Sequence, residues 1–335
     1  MATEGFRKRG DQQTRFHAAP IRGDIRISLA RIGYRRRGAK QSLSPSPSSS
    51  PVPNEAFDQK AWLARIGCDG PPTPTLGGLH RLVAAHAYAI AYESLDIMLG
   101  RTPRLDLASL QSKMIRRMRG GYCFEQNVLF RAGLRSIGFD VTSLQGRFVR
   151  GLAIDAPRPA IHMVLQVNLP EGPYIADVGF GHLAPTCALR LELGLEQETP
   201  HERMRFVDVG GEPTLQAWVG GVWEHVYRVI PYPRYDTEYE VANWYAATHP
   251  DAPYATNILA ALPRPNRTRL TMFNERVNLR HADGGVERRV MTDRDDYASV
   301  LRDEFGLSLS DDELDSILAV RVRHGVPDSS HPFFG

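Results

Sequence analysis

The sequence predicts an α+β protein rather than a doubly wound sheet, on three observations taken in chain order. Apolar residues first recur at helical spacing, up to about Gly138. They then alternate with period two through short runs rich in Val, Ile and aromatics, separated by Gly, Pro and Asp clusters. The last part of the chain mixes strand-like runs with two well-signalled helices.

The first helix falls between Asp58 and Ile66, where Trp62, Leu63 and Ile66 share a face, Asp58 suits the N-cap and Gly67 follows the end. A second follows Thr75, its face marked by Leu79, Leu82, Val83, His86 and Ile90; a third fits Leu107 to Met118. The fourth runs from Cys123 to Ile137 and stops at Gly138. Strands are expected at 141–149, 161–169, 174–178, 204–209, 214–219 and 222–229, a set that suggests a barrel or a sandwich. Further strands at about 268–274 and 286–291 precede a helix from Thr292 to Phe305 and another that opens with Ser310 and Glu313 in capping-box spacing. There is no internal repeat and no P-loop.

Composition removes several classes. With 42% hydrophobic and 24% charged residues the chain is an ordinary globular one. No run approaches the roughly eighteen consecutive apolar residues of a membrane span, and the arginine-rich start lacks the apolar block of a secretory signal, so no membrane association and a cytoplasmic location are expected. Cys68, Cys123 and Cys187 are odd in number and far apart, which fits a reducing compartment and argues against a disulfide framework or a zinc ribbon; no metal is expected. The net charge of +3 is uneven, because residues 1–40 carry eleven Lys or Arg against three acids and the remainder sums to −5. From Ser42 to Pro53 six serines and four prolines make an extended linker, so residues 1–53 read as a disordered basic and Ser/Pro-rich extension or as residues upstream of the true start. The other reading of the tail, a nucleic-acid arm, lacks any recognition motif in the body, and no nucleic-acid partner is expected.

The chemistry concentrates in Arg119-Gly120-Gly121-Tyr122-Cys123-Phe124-Glu125-Gln126-Asn127. The glycine pair interrupts one helix and Cys123 opens the next, which places its sulfur in the first turn among unsatisfied backbone N–H groups, where a thiolate is favoured. Taken singly, such a cysteine reads as a small buried residue. Two further residues raise it. His162 shares one face of its strand with Val164, Gln166 and Asn168, opposite Ile161, Met163, Leu165 and Val167. Asp177 is an acid inside the apolar strand Tyr174 to Val178, and a buried charge needs a partner. Cysteine, histidine and an acid can form a nucleophile, base and orienting triad in any chain order. A hairpin turning at Glu171-Gly172, however, sets Gln166 rather than His162 opposite Asp177, four residues out of register, so the strand pair must be asymmetric or bulged.

The motif R-G-G-x-C-x-E-x-N at Cys123, a histidine opening a hydrophobic strand, and Asp177-Val178-Gly179-Phe180-Gly181 in that order resemble the arylamine N-acetyltransferases. The resemblance spans about residues 55–325, taking in F-D-x-x-x-W-L-x-R-I-G at Phe57, Thr248-His249-Pro250 and the helix entry at Phe305. It implies a helical bundle over 54–140 carrying the nucleophile, a β-barrel over 141–245 carrying histidine and acid, and an α/β lid over 246–330, around a cysteine-protease-like core. It also implies acetyl-CoA as co-substrate with no permanently bound cofactor, a small aromatic amine or hydrazine as acceptor, and a monomer or homodimer. Residue by residue, Cys123 would be acetylated, His162 would act as base and acid, and Asp177 would orient His162. Tyr92, Phe180 and Tyr254 would wall the acceptor site, and Gly179 and Gly181 would let the cofactor approach the backbone. Where the family often has P-F-E-N-L, this chain has Ala91-Tyr92-Glu93-Ser94-Leu95, so Tyr92 adds a hydroxyl to that wall while Glu93 is kept, with Arg119 as its expected buried partner. The rival readings are an amide synthase or other acyltransferase using the same triad with a different acyl donor, and a Cys-His-Asp hydrolase.

Overall fold

A helix starts where something satisfies its first N–H groups, and the early helices obey this with side chains the sequence supplies. Asp58 accepts from the Ala61 amide at 2.9 Å to open α1 (Gln59–Arg65), and Thr75 accepts from Gly78 at 3.3 Å to open α2 (Leu76–Ala89). The computed structural model describes residues 56–250 and 252–324, so the basic stretch, the Ser/Pro linker and the readings attached to them lie outside the described residues. After α2 come a short strand β1 (Tyr92–Glu93), α3 (Leu95–Met98) and α4 (Leu107–Leu110). The expected helix from 107 to 118 is not one regular element: α4 widens into a π-helical turn, Gln111–Arg116, and the chain leaves it through Met118 at a φ of 51°. Then α5 (Cys123–Ile137) runs to Gly138, whose φ of 103° is the left-handed stop that glycine tolerates. Every residue of its first two turns is buried, so α5 is the central helix of this part.

The next strands form one antiparallel sheet: β2 (Asp140–Phe148), β3 (His162–Leu169), β4 (Gly172–Ala176), β5 (Leu189–Arg190), β6 (Gln197–Glu198), β7 (Arg203–Val209), β8 (Glu212–Val219) and β9 (Val222–Ile230). Its order is β5-β4-β3-β2-β9-β8-β7-β6, and it curls into a nearly closed barrel because the outer strands meet again: the Arg190 amide donates to the Gln197 side chain at 2.7 Å, and Leu193 bridges Phe206. Leu144, Val164, Ile175, Phe206, Leu215 and Val229 fill the interior, while Met163, Leu165, Val167 and Tyr174 on the other face pack with the helices. Period-two alternation thus divides one strand between two cores.

Beyond the barrel three elements depart from expectation. The last barrel strand ends at Ile230, and α6 (Asp236–Thr248) follows where only barrel or loop was expected. Beyond it, β10 (Leu259–Pro263), β11 (Arg269–Phe273), β12 (Arg276–Arg280) and β13 (Val286–Val290) form a second antiparallel sheet, which β1 joins through Tyr92↔Ala261 and Glu93↔Ala260. Two of its strands, β10 and β12, were not foreseen. The chain closes with α7 (Arg294–Ser299), continued by a π-helical turn, and α8 (Asp311–His324), opened by the reciprocal Ser310 and Glu313 bonds of a capping box. The architecture is α+β, and no helix among the described residues is long and apolar enough to cross a membrane.

Candidate active site

Cys123 is the first residue of α5 and is 5% exposed. The turn before it is held by backbone bonds to β1: the Gly121 amide donates to the Ala91 carbonyl at 3.3 Å and the Glu93 amide to the Gly121 carbonyl at 3.1 Å. Glycine is required at 120, where a Cβ would run into the Ala91 carbonyl oxygen and the Glu93 side chain. The Cys123 sulfur lies 3.7 Å from the Ile161 carbonyl oxygen, one residue before His162, and Cys123 is close enough to the His162 ring to raise its pKa.

The expected hairpin register is corrected here. Leu169 pairs with Gly172 and Leu165 with Ala176, so the two-residue loop is Pro170-Glu171, one residue earlier than the turn at Glu171-Gly172 expected from sequence. Continued one step, that register sets Asp177 across from Val164, only two residues from His162 and on the same face, which makes them diagonal neighbours. Asp177 also lies just past the end of β4 rather than inside it. No bulge is needed: His162 Nε2 and Asp177 Oδ2 are 2.7 Å apart.

The electrostatics follow from that contact. Burial works against a charged imidazole at His162, but the Asp177 carboxylate, and then Cys123, outweigh it and raise the pKa to about 10. Burial likewise opposes the Asp177 carboxylate, yet His162, the Asn127 amide at 2.9 Å and the Gly179 N–H at 2.8 Å hold it below the usual carboxylate range. His162 and Asp177 therefore form a charged pair at neutral pH. With Nε2 committed to the acid, Nδ1 is the ring nitrogen left for the sulfur.

The candidate walls stand around this pair. Phe180 meets the His162 ring edge-on with centroids 5.3 Å apart and stacks on Phe148; Tyr254 meets Tyr122 edge-on at 5.6 Å; and Tyr92, hydrogen-bonded to Tyr254, lies against Gly181. Tyr92 and Tyr254 are both buried within electrostatic reach of Cys123, and burial first, then that sulfur or the other phenol, keeps them neutral. The close approach that excludes a side chain at Gly179 comes from the protein itself, since a Cβ there would sit 2.8 Å from the Cys123 Cα. Beyond Gly181, His182 and Leu183 line a cleft of about 770 Å³ whose other walls include Arg150, Arg269, Arg276, Arg280 and Arg288.

A sequence profile described as N-acetyltransferase matches residues 75–314, most of the chain. An arylamine N-acetyltransferase of Mycolicibacterium smegmatis is 40% identical over 76% of this chain and 94% of its own length, and one of Mycobacterium bovis is 37% identical over 76% and 91%. The chain belongs to the arylamine N-acetyltransferase family. The solved structure of the Mycobacterium marinum arylamine N-acetyltransferase in complex with CoA superposes with a TM-score of 0.75 at 34% identity, covering 78% of this chain and 99% of that one.

Several residues around this cluster were not singled out from sequence. Asn127, one turn along α5 from Cys123, donates to the Met163 carbonyl at 2.8 Å and to Asp177, and accepts from the Val178 amide at 3.2 Å, so one amide ties the cysteine helix to both strands of the hairpin. The E-x-N tail of the cysteine motif was its only signal. Tyr227 on β9 is fully buried, 5.0 Å from the His162 ring, and burial and the neighbouring Asp177 carboxylate push its pKa well above the phenol range. His86, read as an apolar-face position, accepts from Trp62 Nε1 at 3.2 Å and bonds the Gln126 side chain at 2.8 Å. Its pKa falls to about 4 through burial, so it is neutral and donates through Nε2. Gln126 in turn donates to the Ala91 carbonyl, a second tie between α5 and β1.

Proposed function

We propose that the protein transfers the acetyl group of acetyl-CoA to arylamines and arylhydrazines by a two-step exchange through an acetyl-Cys123 intermediate. The observation that carries this reading is the His162 ring, bonded to Asp177 at 2.7 Å, beside Cys123 at the start of α5, whose sulfur lies 3.7 Å from the adjoining Ile161 carbonyl oxygen.

In the first step the Cys123 sulfur attacks the thioester carbonyl carbon, a new carbon–sulfur bond forms, and the bond to CoA breaks. The departing CoA thiolate takes the proton of the His162 imidazolium, which is charged at neutral pH and so acts as the acid. Exchange of one thioester for another is nearly isoenergetic. In the second step the amine nitrogen attacks the acetyl carbonyl, the bond to Cys123 breaks, and His162 accepts the proton lost from nitrogen. Aromatic amines are largely unprotonated at neutral pH and arrive with a free lone pair, whereas alkyl amines arrive as ammonium ions. Asp177 keeps the imidazole in the tautomer that faces sulfur and steadies its charge.

Tyr92, Phe180 and Tyr254 wall the acceptor, and the Tyr92 hydroxyl makes that wall more polar than a phenylalanine would. The arginine-lined cleft past Gly181 suits the phosphates of CoA, with the pantetheine arm passing Gly179 and Gly181 toward the sulfur. The reading includes three functional parts, residues 54–140, 141–245 and a lid over 246–330, and it calls for no metal and no resident cofactor.

The test is intact-protein mass after incubation with acetyl-CoA alone, for wild type and Cys123→Ala, followed by a chloroaniline. One acetyl adduct on wild type only, discharged by the amine, is expected. Absence of both adduct and released thiol from folded protein would overturn the acetyl-CoA reading in favour of a different acyl donor.

A further inference from the structure

Next to the Cys123 turn five charged side chains from separate segments meet out of water: Glu93 on β1, Asp96 on α3, Lys113 on the π-helical turn, Arg119 in the loop after it, and Glu125 on α5. None is more than 8% exposed. Arg119 takes Glu93 at 3.1 Å, the pairing the sequence suggested, and also Asp96 at 3.4 Å. Lys113 does more. Its ammonium lies 2.9 Å from Asp96, 2.9 and 3.2 Å from the two Glu125 oxygens, and 3.8 Å from Glu93, so it alone touches all three carboxylates. It is also the cation that holds Glu125.

That link leads to the nucleophile. Glu125 Oε2 accepts from the Tyr122 amide at 3.1 Å, directly before Cys123, and its Cβ packs so closely on Gly121 that any side chain there would sit 2.9 Å away. The π-helical turn serves this arrangement: Arg117 bonds back to Ser112 and Arg119 to the Lys113 carbonyl, so the chain unwinds from Lys113 straight into the glycine pair.

We infer that Lys113 is a positioning residue for the reaction: by holding Glu125 as the cap of the Tyr122–Cys123 turn, it fixes the sulfur at the helix start facing His162. The inference rests on the reading of Cys123 as nucleophile.

The charge balance explains why this cation matters. Three carboxylates face two cations, and Arg101 with Glu313, paired at 2.7 Å on the rim, adds nothing net. Burial therefore raises the pKa of Glu125 to about 7, with Lys113 pulling it down and Glu93 and Asp96 pushing it up. A cavity of about 390 Å³ lined by Asp96, Lys113, Glu125, Arg104 and Arg117 borders the cluster. Without Lys113, Glu125 has two fates. If it takes a proton, it becomes a weaker acceptor for the Tyr122 amide. If it stays ionised, its charge opposes a thiolate two residues away. Both outcomes lower the reactivity of the sulfur at neutral pH.

The test compares wild type, Lys113→Met and the double variant Lys113→Met/Glu125→Gln. It reads iodoacetamide alkylation of the Cys123 peptide against pH, together with the rate of acetylation by acetyl-CoA. In Lys113→Met the alkylation profile moves up by about one pH unit, about tenfold in rate on its acidic limb, and acetylation there falls in step with KM for acetyl-CoA little changed. The double variant keeps an amide oxygen to accept from Tyr122 and removes the stranded carboxylate, so it regains most of the loss. A folded Lys113→Met with the wild-type profile, or a double variant no better than the single, overturns the inference. Should the single variant not fold, the double one decides alone: near wild-type alkylation supports the inference, and a tenfold loss rejects it. Wild type that is alkylated at Cys123 but never acetylated sinks the acetyl-CoA reading and leaves this test intact.

Discussion

Asp177→Asn isolates the interaction on which the proposed mechanism turns. In the wild type Oδ1 accepts from Asn127 and Gly179 while Oδ2 faces His162 Nε2 at 2.7 Å. Asparagine can keep the first two bonds with its oxygen, but its NH₂ then points at Nε2 and donates to it. The imidazole proton is driven to Nδ1, toward the sulfur, where a lone pair is needed. The pKa consequence is as large. A rise from 6.5 to about 10 is worth about 5 kcal/mol in favour of the charged ring, and without the carboxylate the leading remaining influence is burial, which favours the neutral ring. His162 of the variant should therefore be neutral at pH 7, read from its ring resonances by NMR. Acetylation of Cys123 should fall by about 10³ to 10⁴, as for a triad whose base is held in the wrong tautomer. The stability gap between wild type and variant in urea carries the sign. The raised His162 contributes stability fully present below pH 6.5 and lost as pH climbs through about 10, and the lowered Asp177 contributes stability present above 3.8 and lost as pH falls through its folded value. The gap should be widest between those limits and shrink on both sides. A folded variant acetylated at the wild-type rate, or a gap that is flat with pH, would refute the reasoning.

Gly179→Ala, which sets a methyl 2.8 Å from the Cys123 Cα, should fold yet displace the helix start, lowering the acetylation rate by about tenfold or more in a single-turnover mass assay. Arg119→Met strands Glu93, whose other cation, Lys113, is 3.8 Å away; the loss of unfolding free energy in urea should be about 3 to 5 kcal/mol. The double variant Arg276→Ala/Arg288→Ala, in the cleft wall, should raise KM for acetyl-CoA by about tenfold with kcat held, and added salt should narrow the difference from wild type. No rise in KM would place the CoA phosphates elsewhere.

What could be read in advance was what local chemistry dictates. The caps at Asp58, Thr75 and Ser310 and the stop at Gly138 each act within a few residues of themselves, and each helix end they mark is found close to its expected place. The π-helical turns at Gln111–Arg116 and Val300–Glu304 keep the helical spacing of apolar residues, so they are silent in the sequence. The helix Asp236–Thr248 was hidden by its own surface: Val241 and Trp244 point outward at 69% and 63% exposure, and the buried face is mostly alanine with Tyr239 and Asn243. The strand Leu259–Pro263 owes its identity to partners far along the chain, Tyr92 and Glu93 on one side and Arg269 to Phe273 on the other. Such pairing leaves no local mark.

The site divides in the same way. Cys123, His162 and Asp177 drew notice because each is the wrong residue type for its local pattern. Their shared position is a tertiary fact: one is the first residue of a helix, one the first of a strand, and one the first beyond a strand. At an element's end the backbone is fixed on one side while the side chain is free of the regular packing on the other, so three ends can be brought together where three middles cannot. Holding three ends demands fasteners, and these are Asn127, Gln126, Glu125 and Lys113, whose contacts cross 12 to 51 positions of sequence. A buried polar residue on an otherwise apolar helix face is the trace such a fastener leaves. Phe124, Val128 and Leu129 form the apolar background against which Glu125, Gln126 and Asn127 stand out, and the run of three buried polar residues that begins two positions after the cysteine is where the sequence was most informative and least used.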